Sequence, residues 1–244
     1  MIRVRYRITF ETEYHIGNGF ARPGIVDNTI IKDNKGRLYI PGHTIKGIIR
    51  DAAEELLAHW RTELNICNGT FDPDKKLCGV NFNLNSPCLF CRLFGSVYTS
   101  SYFNYTPAVF DKEFEAFLGC DLGEDFVSPG EYLIPDMVRT STHNKISRAT
   151  GRVEKDHLFS YELGANTTPF EGMIEPVNHE REVEEAELVV LISALRFIKR
   201  IGGRRRKGWG KCEIEIVEPS DWEKRVNDLK ELLENGKIGA NDKS

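Results

Sequence analysis

Residues 2–14, IRVRYRITFETEY, set Ile2, Val4, Tyr6, Ile8 and Phe10 in alternation with Arg3, Arg5, Arg7 and Thr9. Successive side chains on a strand point to opposite faces, so the pattern predicts a strand with one apolar and one charged face. A glycine-bearing loop, HIGNGFARPG (15–24), follows. VDNTIIKDNKGRLYIPG (26–42) then reads as two short strands around the turn Asp33-Asn34-Lys35-Gly36, stopped by Pro41 and Gly42. Thr44 is the expected N-cap of a helix reaching about Trp60, because Ile45, Ile48, Ile49, Ala52, Leu56 and Trp60 recur on one helical face.

The far end of the chain mirrors this beginning. Residues 164–176 close on a strand, FEGMIEP, and a second helix is expected over about Val183–Ile201, with Leu188, Leu191, Ile192, Leu195 and Ile198 inward. A glycine-rich basic loop leads from it into a last strand, GKCEIEIVE (210–218). The order strand, helix, strands, helix, strand suits an α+β fold with an antiparallel sheet and two helices on one face, the split βαβ or ferredoxin-like arrangement. Residues 1–219 are expected to form this one domain. An amphipathic segment, DWEKRVNDLKELLE (221–234), and a polar tail complete 220–244.

The 244 residues carry 33 Lys and Arg against 37 Asp and Glu, a net charge of −4 that argues against a nucleic-acid partner only if charge is evenly spread. It is not. From Lys199 to Lys211, KRIGGRRRKGWGK, seven of thirteen residues are basic and none acidic, whereas EREVEEAE (180–187) is five-eighths acidic. Salt screens charges beyond roughly 8 Å, so a local basic surface binds phosphate whatever the sum. Glycines let a backbone approach a ligand closely, Arg204, Arg205, Arg206 and Lys207 offer phosphate contacts, and Trp209 offers a face for a base. The alternative is a solvated hairpin with a core Trp. A second basic stretch, RTSTHNKISRATGRVEK (139–155), sets Arg139, Lys145, Arg148, Arg152 and Lys155 against Glu154 alone, as an RNA-binding hairpin or a bare surface one. No apolar run is long enough for a membrane span, and the first residues lack a signal-peptide core, so a cytosolic protein is expected.

Residues 64–95 lose all periodicity and hold Cys67, Cys78, Cys88 and Cys91, the last two as CLFC. Two Cys separated by two residues plus two further thiolates suit a structural Zn²⁺ that would order such a segment; ordinary thiols are the other reading, and a reducing compartment disfavours disulfides. Cys120 and Cys212 read as core residues. Asp27, near His15, Asp33 and His43 in sequence, is either a turn residue or a carboxylate for a divalent cation or a proton relay; His15 is either structural or a general base.

LYIPGHTIKGIIRDAAEEL (38–56), CLFCRLFGS (88–96) and GGRRRKGWGKCEIEI (202–216), in that order, resemble the RAMP superfamily, RNA-binding proteins of CRISPR systems. GIVDNTIIKDNKGRLYIPGHTIKGIIR (24–50) and ISRATGRVEKDHLFSYELGANTTPFEGMIE (146–175) are similar to the backbone subunit of type III effector complexes, and the likeness spans most of residues 1–218. The resemblance implies a modified ferredoxin-like, RRM-like core whose copies stack along a guide RNA with other effector subunits. It implies a zinc-knuckle insertion near 65–95 and a thumb hairpin near 136–160 that enters the duplex of guide and complementary target RNA. His43, Lys46, Arg50, Arg139, Lys145, Arg148, Arg152 and the Arg204–Trp209 loop become the RNA contacts. Asp27 matches the family's loop aspartate, which cleaves target RNA with Mg²⁺ or another divalent cation by attack of the target's own 2′-OH. Two alternatives stay open: a scaffold that binds without cutting, and a metal-independent guide-processing endoribonuclease working through a histidine such as His15. Two departures stand out: His43-Thr44 replaces a common pair of serines, and Ala21-Arg22-Pro23 precedes Asp27 where glycines are usual.

Overall fold

Alternation in the first strand does dictate the centre of the fold. A computed structural model describes residues 3–58, 66–67, 87–96, 99–117 and 137–234. In it β1 (Val4–Phe10) buries Val4, Tyr6, Ile8 and Phe10 and leaves Arg3, Arg5 and Arg7 on the other face. The remaining elements are α1 (Gly42–Leu56), α2 (Leu89–Phe94), β2 (Phe103–Tyr105), β3 (Val109–Phe110), α3 (Lys112–Phe117), β4 (Val138–Ile146), β5 (Val153–Gly164), β6 (Pro169–Pro176), α4 (Glu185–Phe197), β7 (Cys212–Glu218) and α5 (Trp222–Glu234). The main sheet has the order β2-β6-β1-β7, with β3 following β2 along the same side of β6. Every strand pair in it is antiparallel. The fold is therefore mixed α and β with antiparallel sheets.

Helices α1 and α4 pack on each other over the apolar sheet face, burying Ile45, Ile49, Ala53, Leu188, Leu191, Ile192 and Leu195 in one core with the strands. Tyr6 stands opposite Gly172 across the β1–β6 ladder, and its ring occupies the place a Cβ there would need. Tyr14 does the same over Gly164. In both cases the glycine is kept by the neighbour's bulk.

Three sequence expectations need correction. Helix α1 starts at Gly42, with Pro41 at the N-cap (φ −59°, ψ 142°) accepting the first helical bond from Ile45 N–H at 3.0 Å, so Thr44 lies inside the helix and caps nothing. A proline's φ is fixed near the helical value, and Gly42 must lack a side chain because the backbone carbonyl of Tyr105 fills that space. Residues 26–41 form no continuous strand but isolated bridges, among them Lys32 with Leu38 and Ile40 with Ala108, with Asp33 tying the turn through the N–H groups of Lys35 (2.9 Å) and Arg37 (2.8 Å). Helix α4 is shorter than its periodicity, since Glu187 reaches back to the Glu184 N–H at 3.2 Å and sets the start. Trp60, Cys78 and Cys120 lie outside the described residues. No described helix is long and apolar enough to cross a membrane.

Candidate nucleic-acid interface

Beyond the main sheet, β4 and β5 pair as a separate two-stranded hairpin, with Ser141 opposite Tyr161, Thr142 opposite Ser160 and His143 opposite Phe159. Its far end is exposed, including Ile146, Val153 and Leu158. Alternation makes β5 two-faced: Phe159 and Tyr161 share one side, Ser160 and Glu162 the other. The basic loop meets the first and Asp27 the second.

On the Tyr161 side the loop between α4 and β7 is folded back against the β1 end of the sheet. Gly203 N–H donates to the His15 carbonyl and Gly210 N–H to that of Glu13, both at 2.8 Å. Gly202 has φ 101°, and a Cβ there would strike the His15 carbonyl, so only glycine makes this approach. Arg204 is left-handed (φ 53°, ψ 34°), uncommon for a residue with a side chain, and this aims its guanidinium over the Tyr161 ring, 4.5 Å from the centroid, where it donates to the Tyr161 hydroxyl. Trp209 lies 5.7 Å from Tyr161 and 5.4 Å from His143, centroid to centroid. Arg205, Arg206 and Lys207 form one exposed turn and make no ion pair among the described residues. Burial, then Lys207 and Arg204, hold the His143 imidazole below its ordinary pKa.

On the Ser160 side the aspartate loop runs beside β5. Asn28 N–H donates to the Ser160 carbonyl (3.1 Å) and Glu162 N–H to the Asn28 carbonyl (2.9 Å). Asp27 Oδ2 accepts from Ser160 N–H (2.7 Å) and from the Ser160 hydroxyl (2.9 Å), whose oxygen accepts in turn from Asp27 N–H at 2.9 Å. These bonds from Ser160 hold the Asp27 carboxyl below the usual aspartate range, although it is exposed. Glu162 is 5% exposed and accepts from Ile30 N–H at 3.0 Å; Lys32 Nζ lies 3.4 Å and Arg22 Nη1 3.7 Å from its carboxylate. Its backbone carbonyl lies 2.7 Å from His15 Nδ1, so His15 is buried at 8% exposure and braces the strand.

The remaining basic residues separate. Lys46 lies over the Tyr105 ring (5.9 Å) on β2, one edge of the sheet, whereas the basic loop enters β7, the other edge; those two strands are three spacings, about 14 Å, apart. Burial and the nearby Arg50 lower the Lys46 pKa. Arg50 is paired with Glu54 at 3.1 Å, and His43 is exposed in the first turn of α1. In the hairpin, Arg139 pairs with Glu13 and Lys145 with Glu154 (2.6 Å), while Arg148 and Arg152 near the tip are exposed without an ion pair among the described residues. Sequence reasoning missed Ser160, Tyr161, Glu162 and Arg22; alternation along β5 was the one available signal.

Cys67, Cys88 and Cys91 converge, with their sulfurs all within 4.8 Å of one another. Cys67 and Cys91 are 3.2 Å apart and Cys67 and Cys88 3.6 Å, far beyond a disulfide bond and near the ~3.8 Å edge of a tetrahedron with 2.3 Å metal–sulfur bonds. Cys88 and Cys91 sit at the start of α2, whose Leu89, Phe90, Leu93 and Phe94 are buried in the core. Cys212 is also buried, and its thiol is pushed up to about 12, first by burial.

A family model, the RAMP superfamily, matches residues 7–213. No curated protein matches the sequence. Among solved structures, a chain of type III-B Cmr-beta in the apo state superposes with a TM-score of 0.57 at 15% identity, covering 89% of this chain and 98% of that one. A chain of type III-B Cmr-beta bound to cognate target RNA gives a TM-score of 0.60 at 12% identity, with the same coverages.

Proposed function

The chain belongs to the RAMP superfamily, and from that premise we propose that it is an RNA-binding backbone subunit of a type III CRISPR ribonucleoprotein that cleaves target RNA through Asp27. The observation carrying this reading is that one strand, β5, holds a carboxylate on one side and an uncompensated cationic loop on the other. A hairpin standing between them separates a phosphate-binding track from a cleavage position. Likeness to chains of a Cmr-beta assembly, one of them bound to cognate target RNA, supports RNA and other effector subunits as partners. The sheet order β2-β6-β1-β7, with α1 after β1 and α4 after β6, supports a modified ferredoxin-like core, and the β4–β5 hairpin supports the thumb.

In this reading Arg205, Arg206 and Lys207 grip guide phosphates, Arg204 and Trp209 present flat faces beside them, and Arg148 and Arg152 approach the duplex from the hairpin. In cleavage the 2′-oxygen attacks the adjacent phosphorus, the P–O5′ bond breaks, and the products are a 2′,3′-cyclic phosphate and a 5′-hydroxyl. A carboxylate held below its ordinary pKa is a weak base and a good cation ligand. Asp27 belongs to no group of three or more His, Cys, Asp or Glu ligands among the described residues, so it fits a divalent cation completed by RNA phosphates and water, the usual manner of Mg²⁺. Such a cation would supply charge neutralisation at the phosphate. Cys67, Cys88 and Cys91 would hold structural Zn²⁺, with Cys78 as the expected fourth ligand.

The test is cleavage of a guide-matched RNA by the complex assembled with Asp27→Ala. Cutting is expected to vanish while guide and target stay bound; undiminished cutting overturns catalysis by this chain and leaves the scaffold reading.

A further inference from the structure

Asp27 lies on an exposed loop, and its carboxylate is held by one residue 133 positions away. Resting on the cleavage reading above, we infer that Ser160 is the positioning residue of Asp27, and that the thumb hairpin thereby forms part of the cleavage site as well as of the RNA-binding surface. The geometry is a closed exchange. The Ser160 hydroxyl donates to Asp27 Oδ2 and accepts from Asp27 N–H, and the Ser160 N–H donates to the same Oδ2. A hydroxyl has one proton and two lone pairs, so it serves both partners at once.

Both donors address Oδ2. The carboxylate is pinned by Oδ2, and Oδ1 makes no hydrogen bond among the described residues, which leaves it to the ligand. A free carboxylate on an exposed loop would rotate; this one has its direction chosen by the strand. Two residues further on, on the same side of β5, Glu162 fixes the Ile30 N–H and faces Arg22 and Lys32. The loop is thus held on both sides of Asp27 by the strand that carries the hairpin. A change in hairpin pose on meeting a guide–target duplex would be passed to the carboxylate through Ser160, because no covalent neighbour of Asp27 makes a comparable contact to its side chain.

Substituting Ser160→Thr and Ser160→Val tests this. The two side chains have nearly the same shape and both suit a strand, so they differ in the hydroxyl alone. In the assembled complex Ser160→Thr is expected to cleave within a few-fold of the unaltered protein. Ser160→Val is expected to fall by up to about a hundredfold, the cost of misplacing a reacting group by an ångström. Guide and target affinity stay the same in both. Independently of cleavage, carbon NMR of the Asp27 carboxyl in the purified chain reads a higher pKa in Ser160→Val than in Ser160→Thr. Equal cleavage and equal carboxyl titration in the two variants overturn the positioning role while Asp27→Ala remains inactive. If Asp27→Ala cleaves normally, the catalytic reading fails, and a Val-specific rise in the carboxyl titration would still place Ser160 as the anchor of the loop.

Discussion

The protein has two surfaces rich in arginine, and they are built in opposite ways. On the outer face of the sheet, Arg3 pairs with Glu218 (2.8 Å), Arg5 with Glu218 (2.9 Å), and Arg7 with Glu171 (2.9 Å) and Asp111 (3.4 Å). That row of cations lies between glutamates of β6 and β7, so its charge is spent within the fold. In the loop before β7, Arg205, Arg206 and Lys207 are exposed and make no ion pair among the described residues, and Lys207 acts with Arg204 on the His143 imidazole. Equal residue types therefore stand in unequal settings: the paired arginines tie strands together, and the unpaired ones are the proposed phosphate contacts. An RRM domain binds RNA across its sheet through exposed aromatics. Here that face is a lattice of ion pairs, which under the proposed function leaves the loop and hairpin as the surfaces for RNA.

The deepest of the paired sites gives the largest expected effect. Glu187 is fully buried and carries Arg92 Nε at 3.0 Å and Arg181 Nη2 at 2.5 Å. Glu187→Ala strips Arg181 and Arg92 of this buried carboxylate, although Arg92 keeps Glu184 at 2.7 Å, and also removes the brace of the α4 N-terminus. A loss of about 3 kcal/mol in unfolding free energy is expected, read by urea denaturation. RNA affinity of the folded fraction should be unchanged; a parallel drop in affinity would show that the paired cations also serve the ligand.

Unpaired cations give the complementary result. Arg205→Ala, Arg206→Ala and Lys207→Ala combined should flatten the salt dependence of RNA binding by about 2 in log–log slope, near 0.7 per phosphate contact on a single strand, with little change in stability. Arg3→Ala, Arg5→Ala and Arg7→Ala combined should leave that slope alone and lower stability only slightly, since solvent screens these exposed pairs. Filter binding across a salt series, beside thermal unfolding, reads both. If the sheet variant flattens the slope as much as the loop variant, the contrast between the two surfaces is wrong.

Legibility follows the range of each cause. The alternation of β1, the apolar stripe of α4, the glycine-basic loop and the CLFC pair are local signals, and each appears where its residues stand. The order of those elements suits the observed strand order but also other α+β arrangements. What the sequence did not reveal depends on contacts between distant segments: Asp27 on Ser160, Arg204 on Tyr161, His15 on the Glu162 carbonyl. A serine in SYEL carries no mark of the carboxylate it will meet. The acidic run 180–187 misleads for the same reason, since its last member is the most buried glutamate among the described residues and its charge faces two arginines rather than the surface. Lys46, placed by resemblance beside the loop's work, sits at the opposite edge of the sheet, so a single RNA touching both must cross the molecule.

The smallest expected effect is also the most selective reporter of the unpaired surface. His143 faces Trp209 and Tyr161, and it titrates below its ordinary 6.5 because burial and then the charges of Lys207 and Arg204 disfavour its protonated form. A lowered folded-state value means that its contribution to stability is present above pH 6.5 and is lost as the pH falls through the folded-state value. Phosphates seated on Lys207 and Arg204 would offset that repulsion, the lesser cause after burial, so RNA binding there is expected to raise the imidazole pKa and take up a fraction of a proton. Affinity should then strengthen modestly as the pH drops below about 6.5, and His143→Gln should remove this slope. Histidine NMR titration with and without a short RNA measures the shift directly. An upward move confirms that phosphate occupies the loop turn, whereas an unmoved or lowered value means that the RNA passes elsewhere and the cations of this turn serve another anion.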